Sequence, residues 1–150
     1  MISVNTETLL NEGFLISTDK TKLDNEVIWQ YLTRSYWFKG VKKPLIEKLI
    51  KKSLCFGVYH QNKQIGFARI VSDFGTFAYL ADVFILEEYR GRGLSKWLMI
   101  EIMNHPDLKG LRRIMLATRD AHGLYAQFGF NKLEYPDRYM EVYYPDAHLK

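Results

Sequence analysis

Residues 76 to 86, "TFAYLADVFIL", form an almost unbroken apolar run, and "EEYRGRGLSKWL" follows at once, with two glycines and two arginines set just ahead of an amphipathic stretch. A strand that apolar along its whole length is unstable at a sheet edge with one face in water, so it belongs in mid-sheet with helices covering both faces. The glycines mark a tight turn from that strand into a helix beginning near Leu94. The rest of the chain must supply the strands and helices that surround this unit.

The flanking segments do so. "GFLISTD" (13 to 19) predicts a short strand. Asp24 then caps a helix over "NEVIWQYLTRSYW", with Val27, Tyr31 and Leu32 at helical spacing. Pro44 sits in the first turn of a second helix, "PLIEKLIKKS", whose Leu45, Ile46, Leu49 and Ile50 share one stripe. "LCFGVYH" and "QIGFARIV" read as a hairpin joined near "QNK", with a further turn at "SDFG". After the RGRG junction come a helix "LSKWLMIEIM", a strand "LRRIMLAT", a short helix "AHGLYAQF", and "GF" leading into a strand "YMEVYY". The predicted order is β-α-α-β-β-β-α-β-α-β-β, an α/β chain with a mixed, mostly antiparallel sheet of six to seven strands. Neither a repeat nor a linker divides it, so residues 1 to 150 are expected to form one domain.

Composition limits the functions open to such a chain. The net charge of +4 arises from 21 basic and 17 acidic residues that are interleaved rather than clustered, which argues against a nucleic-acid surface. One cysteine, Cys55, excludes an internal disulfide framework and a cysteine-rich metal site, and no metal is expected. No segment is apolar for long enough to span a bilayer, and "MISVNTETLLNEGF" has no signal-peptide pattern. The expectation is a cytoplasmic protein without membrane partners.

A helix N-terminus carries unsatisfied N–H groups and partial positive charge, and glycines let a ligand approach that backbone, so the junction predicts an anion cradle with Arg90 and Arg92 adding charge. It is not the dinucleotide fingerprint G-x-G-x-x-G, because Lys96 occupies the third glycine position and Arg113, not an acid, lies about 20 residues on. It is not a P-loop either, since GxxxxGK[ST] is absent.

Arg90-Gly91-Arg92-Gly93-Leu94-Ser95 resembles the acyl-CoA-binding signature R/Q-x-x-G-x-G/A of the GNAT N-acetyltransferase superfamily, with Ser95 replacing the final glycine or alanine. "DVFILEEYRGRGLSKWL" is similar to that family's central strand, loop and helix, and "LYAQFGF" to its late L-Y-x-x-x-G-F segment. The resemblance implies a GNAT-like fold and direct attack of a primary amine, on a small molecule or peptide, upon the thioester of acetyl-CoA. It places the diphosphate on residues 90 to 95 and the pantetheine along Val83, Phe84 and Ile85. Tyr125 matches the family tyrosine that meets the coenzyme A sulfur, and is the expected acid. Thr118 stands where the family often has asparagine, three residues before Ala121.

Asp82 is the only carboxylate in "FAYLADVFIL", and burying it requires compensation. Either it serves as the general base at the acceptor pocket, or it anchors a loop through hydrogen bonds or an arginine. Tyr36 and Trp37, between the first two helices, are candidate acceptor contacts, and Asp73 a candidate for binding an ammonium group. His122 lies one helical turn before Tyr125 and could share its face. Cys55, in an apolar run without an evident base, is rejected as a nucleophile. A coenzyme A-binding module without turnover is the alternative function. Sheet edges in "YMEVYY" make a homodimer the expected quaternary state.

Overall fold

The computed structural model describes residues 2–150. Strands β1 (Phe14–Ser17), β2 (Leu54–His60), β3 (Lys63–Ser72), β4 (Phe77–Ile85) and β5 (Arg113–Leu116) form one sheet in chain order. The first three pairings are antiparallel, and β4 pairs with β5 in parallel. A parallel pair needs a crossover, which here is helix α4 (Leu94–Asn104). The other helices are α1 (Thr6–Asn11), α2 (Asn25–Thr33), α3 (Lys43–Lys52) and α5 (His122–Ala126).

The apolar character of β4 has the expected cause. Phe84 packs into a cluster with Ile28, Leu32 and Ile46 of α2 and α3, whereas its neighbour Ile85 packs into one with Leu98, Met99 and Ile102 of α4. At this end of β4 successive side chains thus enter cores on opposite faces, as in a strand covered by helices on both sides, whereas nearer its start Phe77 and Tyr79 are 39% and 37% exposed on one face. The predicted caps also form: Asp24 Oδ1 accepts the N–H groups of Glu26 and Val27, and Pro44 lies in the first turn of α3.

Two expectations are corrected. The sheet has five strands, not six to seven, because neither the "GF" at 129 to 130 nor "YMEVYY" (139 to 144) joins it. Met140 is 98% exposed and its alternate neighbour Val142 80%, so that segment buries no face, and tyrosine and valine β-propensity alone does not assemble a strand. The edge on which the expected homodimer rested is therefore not a strand. The unforeseen element is α1, six residues capped by Asn5 Oδ1, with Leu9 as its one buried side chain, too short to reveal a period.

One irregularity shapes the centre of the sheet. Phe67 pairs with Phe84 but Arg69 pairs with Ala81, so Ala68 stands opposite both Asp82 and Val83. Asp82 occupies this bulge with a left-handed φ of 55°, which bends the strand at a cost in backbone strain. The β4–β5 ladder runs from Phe77↔Arg113 to Leu80↔Leu116 and stops just before it. From 81 to 85, β4 has no strand partner on that side among the described residues, and a notch opens between the two strands.

Candidate active site

At the far end of the notch the chain leaves β4 through a single 3-10 turn, Glu87–Tyr89, and enters the RGRG loop. Gly91 and Gly93 have φ of 82° and 84°, a region that costs an L side chain free energy and glycine almost none. Gly93 caps α4 without any side-chain hydrogen bond, so the first N–H groups of that helix are left for a ligand. They border a cavity of about 280 Å³ with Ser95, Lys96 and Leu124.

The loop is held by its first arginine. Arg90 Nε donates to the Ile85 carbonyl at 3.0 Å and an Nη to the Tyr31 hydroxyl at 2.7 Å, which ties the loop to β4 and α2. Arg92 turns the other way, lies 5.8 Å from the Phe14 ring centre, and borders a separate hollow beside α1. Lys96, in the first turn of α4, is the cation that faces the cradle alongside Arg90.

At the near end of the notch lies a larger cleft of about 540 Å³. Its floor is an ion pair: Arg69 Nε donates to Asp82 Oδ2 at 2.7 Å, and Trp37 Nε1 donates to Asp82 Oδ1 at 2.9 Å. Arg69 also reaches Ser53 Oγ at 3.3 Å. Asp82 is buried, and these donors compensate the water it has lost. Tyr36 stands on the rim, edge-on to Trp37 at 5.1 Å. Its hydroxyl accepts the Arg119 backbone N–H at 3.1 Å, joining the loop after α2 to the loop after β5. Thr118 Oγ1 accepts the Ala121 N–H at 3.0 Å and shapes the turn into α5.

Tyr125 points from α5 into this cleft. Burial pushes its phenol up to about 12, and nearby Tyr36 and Asp120 add to the rise. The phenol is therefore protonated at neutral pH, and its hydroxyl makes no hydrogen bond to another described residue.

A sequence model of the Acetyltransferase (GNAT) family matches residues 20–130, the span that carries the notch, the loop and α5. The chain belongs to the GNAT family. The crystal structure of "a putative acetyltransferase belonging to the gnat family" from Xanthomonas campestris pv. campestris is 48% identical, with a TM-score of 0.88 over 91% of this chain and 97% of that one. "Putative acetyltransferase FG08082" of Gibberella zeae is 31% identical over 137 residues, covering 76% of each chain. A predicted acetyltransferase from Clostridium acetobutylicum, solved with acetyl-CoA, shares the fold at a TM-score of 0.62 and 14% identity, over 87% of this chain and 94% of that one.

Within this GNAT scaffold the predicted residues separate into three groups. Tyr36, Trp37, Asp82, Val83 and Tyr125 meet at the large cleft, and Ile85, Arg90, Gly91, Gly93, Leu94 and Ser95 at the small one. Phe84 turns away, stacked on Tyr31 at 4.0 Å, so only its backbone borders the notch. Asp73 lies in the β3–β4 turn, where its carboxylate accepts the Thr76 hydroxyl and the N–H groups of Thr76, Gly75 and Phe77; these bonds hold it well below the usual carboxylate range, and it does not line the cleft. His122 is exposed at the start of α5. Cys55 is buried, and burial pushes its thiol up to about 11, which agrees with its rejection as a nucleophile.

Arg69, Lys96, Arg119 and Asp120 escaped sequence reasoning. For Arg69 a signal existed: it is the only charge in "QIGFARIV", as Asp82 is in the next apolar strand, and two lone opposite charges on neighbouring strands invite pairing. Arg119 and Asp120 lie in a loop with no such pattern.

Proposed function

We propose that this GNAT protein is an acetyl-CoA-dependent N-acetyltransferase whose acceptor amine attacks the thioester directly. One observation carries the reading: a single notch joins a cradle of backbone N–H groups to a side-chain cleft containing a protonated tyrosine. The unpaired stretch of β4 from 81 to 85 is roughly 16 Å long, the scale of the extended arm between diphosphate and sulfur in coenzyme A. The cradle fits an anion, because the α4 cap is open and, apart from Gly91 and its chain neighbours, no heavy atom lies within 4 Å of where a Gly91 Cβ would stand.

When bound, acetyl-CoA supplies the activated acetyl group. The N–H groups of residues 91 to 95, with Lys96, hold the diphosphate, and the free edge of β4 orients the pantetheine so that the sulfur lies beside Tyr125. The amine nitrogen forms its bond to the acetyl carbon as the carbon–sulfur bond breaks, and the surplus amine proton leaves to water. Tyr125 donates a hydrogen bond to the departing sulfur. A phenol pushed up to about 12 is a weaker acid than an ordinary thiol at ~8.5, so Tyr125 acts as a hydrogen-bond donor to the departing sulfur rather than as the acid that the resemblance implied. Asp82, both of whose oxygens already accept hydrogen bonds, is a positioning residue for Trp37 and Arg69 rather than the base.

Calorimetry of ligand-free protein with coenzyme A tests the reading, with saturable binding expected. Absence of any binding overturns it.

A further inference from the structure

The charges around the large cleft are not all accounted for by the fold. Two arginines and two aspartates line it: Arg69, Arg119, Asp82 and Asp120. Arg69 and Asp82 neutralise each other on the floor. The only other ion pairs among the described residues, Arg34–Glu87 and Lys43–Glu26, lie elsewhere, so neither Arg119 nor Asp120 has an oppositely charged partner.

Arg119 is nevertheless held in place. Its guanidinium carbon lies 3.8 Å from the Tyr36 ring centre, a close cation–π stack. Tyr36 in turn is fixed at its hydroxyl by the Arg119 backbone N–H and along its ring by Trp37, which hangs from Asp82. A guanidinium stacked on a ring face presents its N–H groups at the edge, and none of those on Arg119 donates to another described residue. A planar fork of free donors is the geometry that grips a carboxylate with two parallel hydrogen bonds.

Resting on the N-acetyltransferase reading, we infer that the acceptor is a free amino acid, its carboxylate gripped by Arg119 and its amine directed to the cleft between Asp120 and Tyr125. Asp120 lines the same cleft as Tyr125 and draws in the ammonium form, which gives up one proton to water so that the neutral amine can attack. The charge balance selects a zwitterion. The cleft has no lysine, and its two free charges cancel, so a neutral pair of opposite charges fits where a dianionic phosphate beside Asp120 does not. A peptide N-terminus lacks the neighbouring carboxylate and leaves Arg119 unused.

The test uses thiol release from acetyl-CoA with the common free amino acids, each against its α-amide, and with short peptides. Calorimetric titration of the same amino acids into protein saturated with coenzyme A accompanies it. At least one free amino acid should surpass its amide by about tenfold or more in kcat/KM, the scale of one charged bidentate contact. Arg119→Gln should collapse that ratio towards one through KM while the coenzyme A affinity holds, and Arg119→Lys should restore part of it. The inference is overturned if amides or peptides match or surpass the acids, or if Arg119→Gln leaves the ratio intact. It is equally overturned if coenzyme A binds and no free amino acid is bound or acetylated. Failure of coenzyme A itself to bind instead removes the underlying reading.

Discussion

The two ends of the notch beside β4 are made of different material. At the loop end the polar groups are backbone N–H, set by left-handed Gly91 and Gly93 and by the grip of Arg90 on the Ile85 carbonyl. At the cleft end they are side chains brought from β3, β4, the loop after α2, the loop after β5, and α5. A backbone cradle depends on few side-chain identities and recognises whatever anion fits it. A side-chain cleft can be retuned by one substitution. On the proposed function, the end that holds the coenzyme can thus stay fixed while the end that holds the acceptor changes.

The largest break should come at the floor of the cleft. Asp82→Ala leaves the largely buried Arg69 without its anion, at a cost of about 3 kcal/mol, seen as a lower urea midpoint. Replacing both members of the pair with apolar residues should recover most of that loss. Next, Tyr125→Phe should lower kcat by about 100-fold, as for loss of one positioned donor to a leaving group, while coenzyme A affinity stays the same in calorimetry. Because burial holds this phenol near about 12, the wild-type pH–rate profile should show no basic limb due to Tyr125 below about pH 11.

Gly93→Val probes the other end. Valine at a φ of 84° distorts the cradle and should weaken acetyl-CoA by about 1–3 kcal/mol in calorimetry, with the rate largely restored at saturating cofactor. If kcat falls and affinity holds, the contrast between the two ends is wrong.

The smallest effect belongs to Glu87, which tethers the start of the loop to Arg34, the residue that caps the end of α2, at 2.7 Å. Both side chains are about half exposed, so Glu87→Gln should cost only about 0.5 kcal/mol or less, vanishing in high salt. Its hydrogen bond from Arg34 lowers the Glu87 carboxyl from 4.5 to about 2 in the folded state. The contribution is therefore complete above the unfolded value near 4.5 and is lost as pH falls towards about 2, a difference that paired thermal melts of wild type and variant would resolve.

Much of the fold could be read directly. The unbroken apolar run placed β4 between two cores, the hairpin spacing gave β2 and β3, and Asp24 and Pro44 marked the starts of two helices. The exceptions have physical causes. "YMEVYY" has the residue types of a strand, but strand formation needs a buried face, which depends on packing rather than propensity. Asp73 looked like an ammonium site because its residue type allows either role, and local N–H groups claimed it for the turn. Arg92 shared a motif with Arg90, yet the packing of α1 and Phe14 drew it away from the cradle.

The sequence alone determined the turn into α4, because the conformations of Gly91 and Gly93 and the open start of α4 arise from residues within a turn of one another, although Arg90 anchors that turn to Tyr31 across 59 residues. Only the tertiary structure decided the cleft. Asp82 meets Arg69 across 13 residues and Trp37 across 45, and Tyr36 meets Arg119 across 83. Backbone dihedrals answer to near neighbours, whereas the partner of a side chain depends on strand register, the bulge that shifts it, and the crossover that brings β5 beside β4.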